Sequence, residues 1–283
     1  MLRLAVQKKG RLSESSLSLI RECGIGFSKK PASLKEAAYN FPLEFLYLRD
    51  DDIPGYVEDG TADIGIVGEN VLVEKGGDME VVMKLGFSKC RLSIGIPNNV
   101  PYQGKQDIDG WEIATSYPKI LGNFLKENNL SAEIHEISGS VEIAPSIGLA
   151  DAVCDIVSTG STLISNGLKE VEVIFTSQAV LVANKNLSAE KKAILDDLIF
   201  RIKAHQKAKN TKYITLNAPN EAIDNIISLL PGVKSPSIMP LAKEGWSSMH
   251  TVVKEDDFWE VIEKLKAAGA EGILVLPIEK IIS

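Results

Sequence analysis

The sequence predicts an α/β protein built as two lobes, followed by a small βαββαβ module. Three observations carry this. From Leu2 to about Lys209, short apolar runs alternate with helical patterns, the grammar of sheets covered by helices. Gly60-Thr61-Ala62-Asp63-Ile64-Gly65 is echoed by Gly148-Leu149-Ala150-Asp151-Ala152-Val153: a helix-ending glycine, then x-Ala-Asp, then a strand. Beyond Lys212 the elements follow the order β-α-β-β-α-β, a ferredoxin-like unit. A length of 283 residues suits one large domain or two to three smaller ones.

The elements follow in order. Leu2–Val6 is an apolar first strand. Gln7-Lys8-Lys9-Gly10-Arg11 is a basic glycine turn, open to a phosphate or simply solvated, before a helix from Ser13 that Gly24 ends. Phe45–Leu48 is a strand running into Arg49-Asp50-Asp51-Asp52-Ile53-Pro54. Asp before a helix and Pro in its first turn are start signals, but three acids exceed what a cap needs. The strand after Asp63 ends in a second glycine turn, Gly68-Glu69-Asn70. Val81–Leu85 and Arg91–Ile96 are strands; Val100–Gly110 is a polar loop.

Glu112–Thr115 is a strand that runs into Ser116-Tyr117-Pro118. A helix follows with Ile120, Leu121, Phe124 and Leu125 on one face. Ala132–Ile137 is expected as strand, Val141–Leu149 as helix, and Val171–Phe175 and Ala179–Ala183 as strands. Ser188 caps a long helix with an Ile194, Leu198, Ile202 stripe. Residues 1–92 and 179–211 are therefore expected as lobe I, 93–178 as lobe II and 212–283 as the end module. In that module Tyr213–Asn217, Ser237–Leu241, Ser247–Lys254 and Gly272–Leu276 are strands. Asn220–Leu230 and Asp256–Ala268 are its helices, the first stopped by Pro231-Gly232.

The richest stretch is Gly148–Leu168. Ala152–Val157 reads as a buried strand broken only by Asp155, and Ser158-Thr159-Gly160-Ser161-Thr162 follows at once, before a short helix. Gly160 lets backbone approach a ligand, and the first helical N–H groups lack intrahelical partners, so such a turn attracts anions. A carboxylate repels phosphate; Asp155 and Asp151 would instead accept hydroxyls or meet Mg²⁺. Phosphate plus diol describes a sugar phosphate. Ser158 or Thr159 could equally cap a helix, and the local pattern leaves both readings open. It is not a Walker loop, because no Lys follows the glycine.

Composition narrows the classes. The chain is 45% hydrophobic with a net charge of -7, which argues against a nucleic-acid or membrane-surface binder. An anionic ligand would need local cations: Lys8, Lys9 and Arg11; Arg49; Lys89 and Arg91. Cys23, Cys90 and Cys154 are odd in number and far apart, which favours a reducing compartment over a disulfide framework. His135, His205 and His250 form no zinc spacing. No long apolar run marks a signal or a membrane span, so a cytoplasmic protein is expected.

With these residues in view, the chain closely resembles the ATP phosphoribosyltransferase family in its long form, whose reaction opens histidine biosynthesis. The resemblance rests on K-G-R-L-S-E (Lys9–Glu14), L-R-D-D-D-I-P (Leu48–Pro54) and D-I-G-I-V-G-E-N (Asp63–Asn70). It continues through I-A-T-S-Y-P (Ile113–Pro118), G-S-V-E-I-A-P (Gly139–Pro145), D-I-V-S-T-G-S-T-L (Asp155–Leu163) and I-L-V-L-P-I-E-K (Ile273–Lys280). Ser161 stands where many members carry Ala or Thr. The resemblance implies a core like a periplasmic binding protein, with the active site between its lobes. It implies that ATP and 5-phosphoribosyl 1-diphosphate give N1-(5-phosphoribosyl)-ATP and diphosphate, with Mg²⁺. Histidine would inhibit through the end module, AMP would compete for the adenine pocket, and the chain would form dimers and hexamers.

Residue by residue, Ser158, Thr159, Gly160, Ser161 and Thr162 would hold the 5-phosphate. Asp155, with Asp151, would accept the ribose hydroxyls. Arg11 and Arg49, with Lys9 near them, would neutralise the leaving diphosphate. Glu69, Thr115, Ser116 and Tyr117 would line the ATP side. Asn217, Ser237, His250 and Thr251 would surround bound histidine. Two rivals share the two-lobed cleft: a solute-binding protein without catalysis, and a nucleotide-responsive sensor that binds without turnover.

Overall fold

The computed structural model describes residues 1–28, 33–230 and 236–282. The chain divides into two compact units, residues 1–21 with 25–194, and residues 22–24 with 195–283. The first unit opens with β1 (Leu2–Gln7), α1 (Arg11–Glu22), β2 (Lys35–Ala37) and β3 (Leu43–Leu48). A 3₁₀ turn over Asp50–Asp52 leads into α2 (Ile53–Glu58), β4 (Ile64–Gly68), α3 (Glu69–Lys75) and β5 (Met79–Lys84). Then come β6 (Cys90–Pro97), β7 (Glu112–Thr115), α4 (Pro118–Glu127), β8 (Glu133–Glu136), β9 (Ala152–Val157), α5 (Ser161–Ser165), β10 (Leu168–Ser177) and β11 (Ala179–Asn184). Helix α6 (Ala189–Lys209) spans the boundary between units.

Two sheets form this unit. One has the order β2-β3-β1-β4-β11-β5 and the other β10-β6-β9-β7-β8. Without edge strand β2 the two match. In each, a central strand (β1, β7) lies parallel to two neighbours (β3 and β4; β8 and β9), and a fourth strand (β11, β6) runs antiparallel beside β4 or β9. The fifth strand, β5 or β10, is antiparallel to the fourth. The x-Ala-Asp echo therefore marks equivalent places. Asp63 donates its N–H to the Arg3 carbonyl (2.9 Å) and accepts the Arg3 N–H on its carboxylate (2.8 Å). Asp151 does the same with Glu112 (2.8 and 2.9 Å). Each acid pins the start of one parallel strand to the next.

The strands are apolar because helices and turns cover them. Leu4, Val6, Phe45 and Ile64 are fully buried in one sheet, and Ile94, Ile113, Ala152 and Cys154 in the other. Each buried Leu or Ile stabilises the fold by about 1.5–3 kcal/mol. Close packing leaves no room at Gly65, where a Cβ would come within 2.7 Å of the Ile53 side chain on α2. The chain passes between the sheets twice, and the crossings are bonded to each other. Leu85 N–H donates to Ala179 O (2.9 Å), Ala179 N–H to Phe87 O (3.0 Å), and Cys90 pairs with Ser177.

The second unit carries β12 (Thr211–Pro219), α7 (Ile223–Leu229), β13 (Ser237–Pro240), β14 (Trp246–Lys254), α8 (Glu255–Ala267) and β15 (Glu271–Pro277). The antiparallel order β13-β14-β12-β15 is the ferredoxin-like arrangement expected. Its core sets Ile214, Leu216 and Met249 against Ile226, Phe258 and Leu265.

Several expectations differ in detail. Val141–Leu149 is not a helix but two 3₁₀ turns, Val141–Ile143 and Pro145–Ile147; Pro145 cannot donate into a helical ladder and Gly148 turns left-handed at φ +73°. Helix α1 begins at Arg11, ahead of Ser13, and β10 is longer than expected, with two bulges. Helix α6 buries Leu195, Leu198 and Ile202, with Ile194 half-buried. The second compact unit takes in the latter part of α6 together with the ferredoxin-like module. The expected Pro231-Gly232 stop lies outside the described residues. Among the described residues, no helix is long and apolar enough to cross a membrane.

Candidate active site

The site is built where the parallel strands end. Strand β9 buries Ala152, Val153, Cys154 and Val157 and leaves Asp155 half-buried. The turn after it depends on Gly160, whose φ of +81° an L side chain would strain. Inside the turn the Thr159 and Ser161 hydroxyls lie 3.0 Å apart, and Ser161 N–H points at Thr159 Oγ1 (3.5 Å). Arg11, at the start of α1, joins residues 156–163 around a cavity of 120 Å³. Arg91 braces the turn from beneath. Its Nη1 donates to Ser158 O (3.4 Å), while Nε and Nη2 hold both oxygens of Glu170 at 2.5 Å. That guanidinium keeps the Glu170 carboxyl below its ordinary range.

Beside the turn lies a larger cleft of 570 Å³. Gln7, Arg11 and Asp50 line it from the first sheet, Asn70 from α3, and Lys89 and Ser158 from the second-sheet side. Asn70 is 5% exposed and fully engaged. The Ser177 hydroxyl donates to its Oδ1 (2.8 Å), its N–H donates to Ser177 Oγ (3.1 Å), and its Nδ2 donates to Tyr117 Oη (3.4 Å). Glu74 on α3 accepts the Lys119 and Ile120 N–H groups at the start of α4 (2.9 and 3.0 Å), which ties the two walls together.

The electrostatics show what converges here. Burial, then Asp155, and to a lesser degree Asp50 and Asp51, push the Tyr117 phenol above its usual value, so it stays a proton donor. Burial likewise raises the Asp155 carboxyl, against the Ile156 N–H that stabilises its charge (2.7 Å) and with help from Glu142. Asp50 is raised by burial and by Asp51. A phenol and carboxylates from both sheets thus lie close enough to influence one another.

The expected site residues divide. Ser158, Thr159, Gly160, Ser161 and Thr162 share a cavity with Arg11, while Asp155 sits half-buried on the strand before the turn and Tyr117 is held behind the cleft wall by Asn70. Lys9 and Arg49 border a neighbouring 270 Å³ hollow with Lys8, Asp50 and Asp51. Glu69 pairs with Lys84 (2.9 Å) in an adjoining cleft. Thr115 is buried; its hydroxyl donates to Cys154 O (2.7 Å) and accepts the Tyr117 N–H (2.9 Å). The Ser116 hydroxyl donates to Ile137 O (2.6 Å). Both hydroxyls shape the corner that presents Tyr117. Asp151 is not brought to the turn: it precedes β9, and the six-residue strand puts it about 20 Å away.

In the end module Asn217, Ser237 and His250 share one sheet face, by the pairs Asn217–Ser248 and Ser237–His250. His250 contacts Tyr213 Oη (2.9 Å) and Ser248 Oγ (3.2 Å). Thr251 faces the opposite, helix-covered side, buried, and its hydroxyl has no hydrogen-bond partner. Gln7, Asn70, Glu74 and Ser177 were not foreseen. The D-I-G-I-V-G-E-N run drew notice to Glu69, but the buried amide one residue on makes the contacts. Among the described residues, Glu112, Glu133 and His135 bring metal-ligand atoms within 4.8 Å of one another. They lie near the starts of β7 and β8, by Asp151 rather than the turn.

Known proteins agree with this architecture. The family described as "ATP phosphoribosyltransferase" matches residues 49–204, and "HisG, C-terminal domain" matches 208–280. An ATP phosphoribosyltransferase of Cytophaga hutchinsonii is 68% identical over 282 residues, covering 100% of this chain and 99% of that one. A solved ATP phosphoribosyl transferase complex (HisG:HisZ) from Thermotoga maritima covers 72% of this chain and 99% of its own, at 28% identity and a TM-score of 0.60. A putative sulfonate-binding protein from Methylobacillus flagellatus KT is 14% identical, covers 71% of this chain and 66% of its own, and has a TM-score of 0.50; it shows the fold alone. Two matched lobes, a hydroxyl-rich turn after β9 and both family matches along one chain lead to one conclusion: the chain belongs to the ATP phosphoribosyltransferase family.

Proposed function

We infer that the chain joins ATP to 5-phosphoribosyl 1-diphosphate, the first step of histidine biosynthesis. Adenine N1 supplies the electron pair for a new bond to ribose C1, the bond from C1 to the diphosphate oxygen breaks, and diphosphate leaves with that pair. No protein nucleophile is needed, so rate comes from alignment and charge stabilisation. The Ser158–Thr162 turn, with Arg11 across the 120 Å³ cavity, grips the 5-phosphate. Asp155 accepts the ribose hydroxyls. Tyr117, kept protonated by its surroundings, supports Asn70 on the ATP side of the cleft. Arg11 and Arg49 neutralise the departing charge, with Lys9 beside them.

The carboxylates fit a hard divalent cation such as Mg²⁺, which takes oxygen ligands. Asp50, which lines the cleft and is costly to ionise there, would be a ligand for it. Bound there, Mg²⁺ would screen the diphosphate. Residues 1–92 with 179–211 and residues 93–178 act as the two catalytic lobes, and 212–283 as the regulatory domain. Histidine binds that domain at the face carrying Asn217, Ser237 and His250. AMP competes for the adenine pocket, and copies of the chain assemble as dimers and hexamers in the cytoplasm.

The observation that carries the reading is Arg11 sharing one cavity with the Ser158–Thr162 turn. The test is an assay with both substrates. Diphosphate released with N1-(5-phosphoribosyl)-ATP in equal amounts is expected. Binding of both without turnover would instead favour a sensor or solute-binding protein.

A further inference from the structure

Strand β8 is the edge of the second sheet and only four residues long. It lies parallel to β7 in a register that sets Glu112 opposite Glu133 and Ala114 opposite His135. Side chains alternate along a strand, so Glu133 and His135 share one face, and Glu112 joins them across the pair. Ile113, fully buried, and Ile134, half-buried, take the other face and pack into the core beneath α4. Two glutamates directly opposite each other repel, and such a pair weakens a sheet. Among the described residues, no lysine or arginine forms an ion pair with either acid. What meets them is the His135 ring, whose Nε2 lies 3.2 Å from Glu112 Oε2. One ligand atom from each of the three residues lies within 4.8 Å of the others. Zinc bonds of about 2.0–2.2 Å place tetrahedral ligand atoms roughly 3.3–3.6 Å apart. The His135–Glu112 pair already stands close to that spacing. Glu133 is exposed, so a change of rotamer closes the remaining gap. The cluster lies by Asp151, at the opposite end of β9 from the Ser158–Thr162 turn.

We propose that Glu112, Glu133 and His135 form a binding site for one divalent transition cation of the zinc type, with water completing the tetrahedron. An imidazole with two carboxylates suits zinc, whereas Mg²⁺ prefers an octahedron of oxygens. The ion cancels the repulsion between the opposed glutamates and clips the short edge strand β8 to β7. None of the three ligands belongs to the machinery proposed above, so the ion braces the second sheet. The site stands whether or not the chain transfers phosphoribosyl groups.

The test uses the full-length chain without a histidine tag, stripped of metal by a chelator and titrated with zinc chloride in a calorimeter. A saturable site is expected, its affinity falling about tenfold or more in both His135→Ala and Glu133→Gln. Saturating zinc should also raise the midpoint of thermal unfolding by about 5 °C in the wild type and by less than about 1 °C in the variants. Circular dichroism of the zinc-free variants checks that they fold. Glu133→Gln, nearly isosteric at an exposed strand position, keeps the measurement available if His135→Ala does not fold. Equal zinc affinity in the wild type and both variants overturns the site. Loss in one folded variant but not the other overturns it as well, as does Mg²⁺ binding there as tightly as zinc.

Discussion

Asp155 sits where ionisation is costly, and that cost has a use. Burial lifts its carboxyl above the ordinary range, so the charged form opposes folding. The sign follows directly. Below the usual carboxylate range the group is neutral in both states and the penalty vanishes; above the raised folded value the penalty is complete. Asp155→Asn should therefore leave stability equal or slightly higher at neutral pH while cutting kcat by about a hundredfold. Thermal unfolding and steady-state kinetics read the two effects separately, and near-wild-type turnover would remove Asp155 from the ribose site. If Asp155 must be charged to act, activity should fall on the acid side at a higher pH than an ordinary aspartate would give. The turn itself was legible because glycine and hydroxyls after an apolar run have few other uses. Tyr117 was legible as part of a motif, but its partner Asn70 was not. An amide buried between a hydroxyl and a phenol from distant segments leaves no local trace.

At the scale of elements, the repeated x-Ala-Asp turned out to be a strand-pairing device. Asp63 and Asp151 each exchange two hydrogen bonds with the first residues of the neighbouring strand, so Asp151 is engaged in architecture. Sequence alone shows the echo but not which atoms it joins, since the partner strand is far away in the chain. Asp63 also pairs with Lys191 (2.7 Å) and Arg3 (3.5 Å). Burial pushes its carboxyl up, but the Lys191 and Arg3 bonds outweigh this and hold it below the ordinary range. Its stabilisation is thus present above the usual carboxylate value and is lost as pH falls through the lowered folded value. Asp63→Asn should cost about 3 kcal/mol at neutral pH, a gap that narrows in acid. Urea titrations across that range measure it, and a gap independent of pH would contradict the ion-pair account. Element types were readable wherever the apolar period ran unbroken. Over Val141–Leu149 a plausible period was defeated by one imino acid, whose missing N–H outweighs a few apolar contacts.

For the whole molecule, the change of grammar near Lys212 announced the ferredoxin-like module, because β-α-β-β-α-β cannot extend a parallel sheet. What the module does was less legible. Neighbouring strand residues face opposite ways, so His250 and Thr251 cannot both touch one ligand on the open face. His250→Ala should raise the histidine concentration needed for half-inhibition by about tenfold or more and leave kcat without histidine unchanged. Inhibition curves on the full chain decide this; an unshifted curve would place the effector elsewhere.

The paired crossings near Leu85–Cys90 and Ser177–Ala179 have a mechanical meaning. Two strands of backbone laced by hydrogen bonds flex as a ribbon across its thin direction, whereas shearing one against the other would break the Leu85–Ala179 and Ala179–Phe87 bonds. Any opening of the two sheets that keeps these bonds must therefore bend at the crossings and cannot slide there, as the leaves of a book turn about one spine.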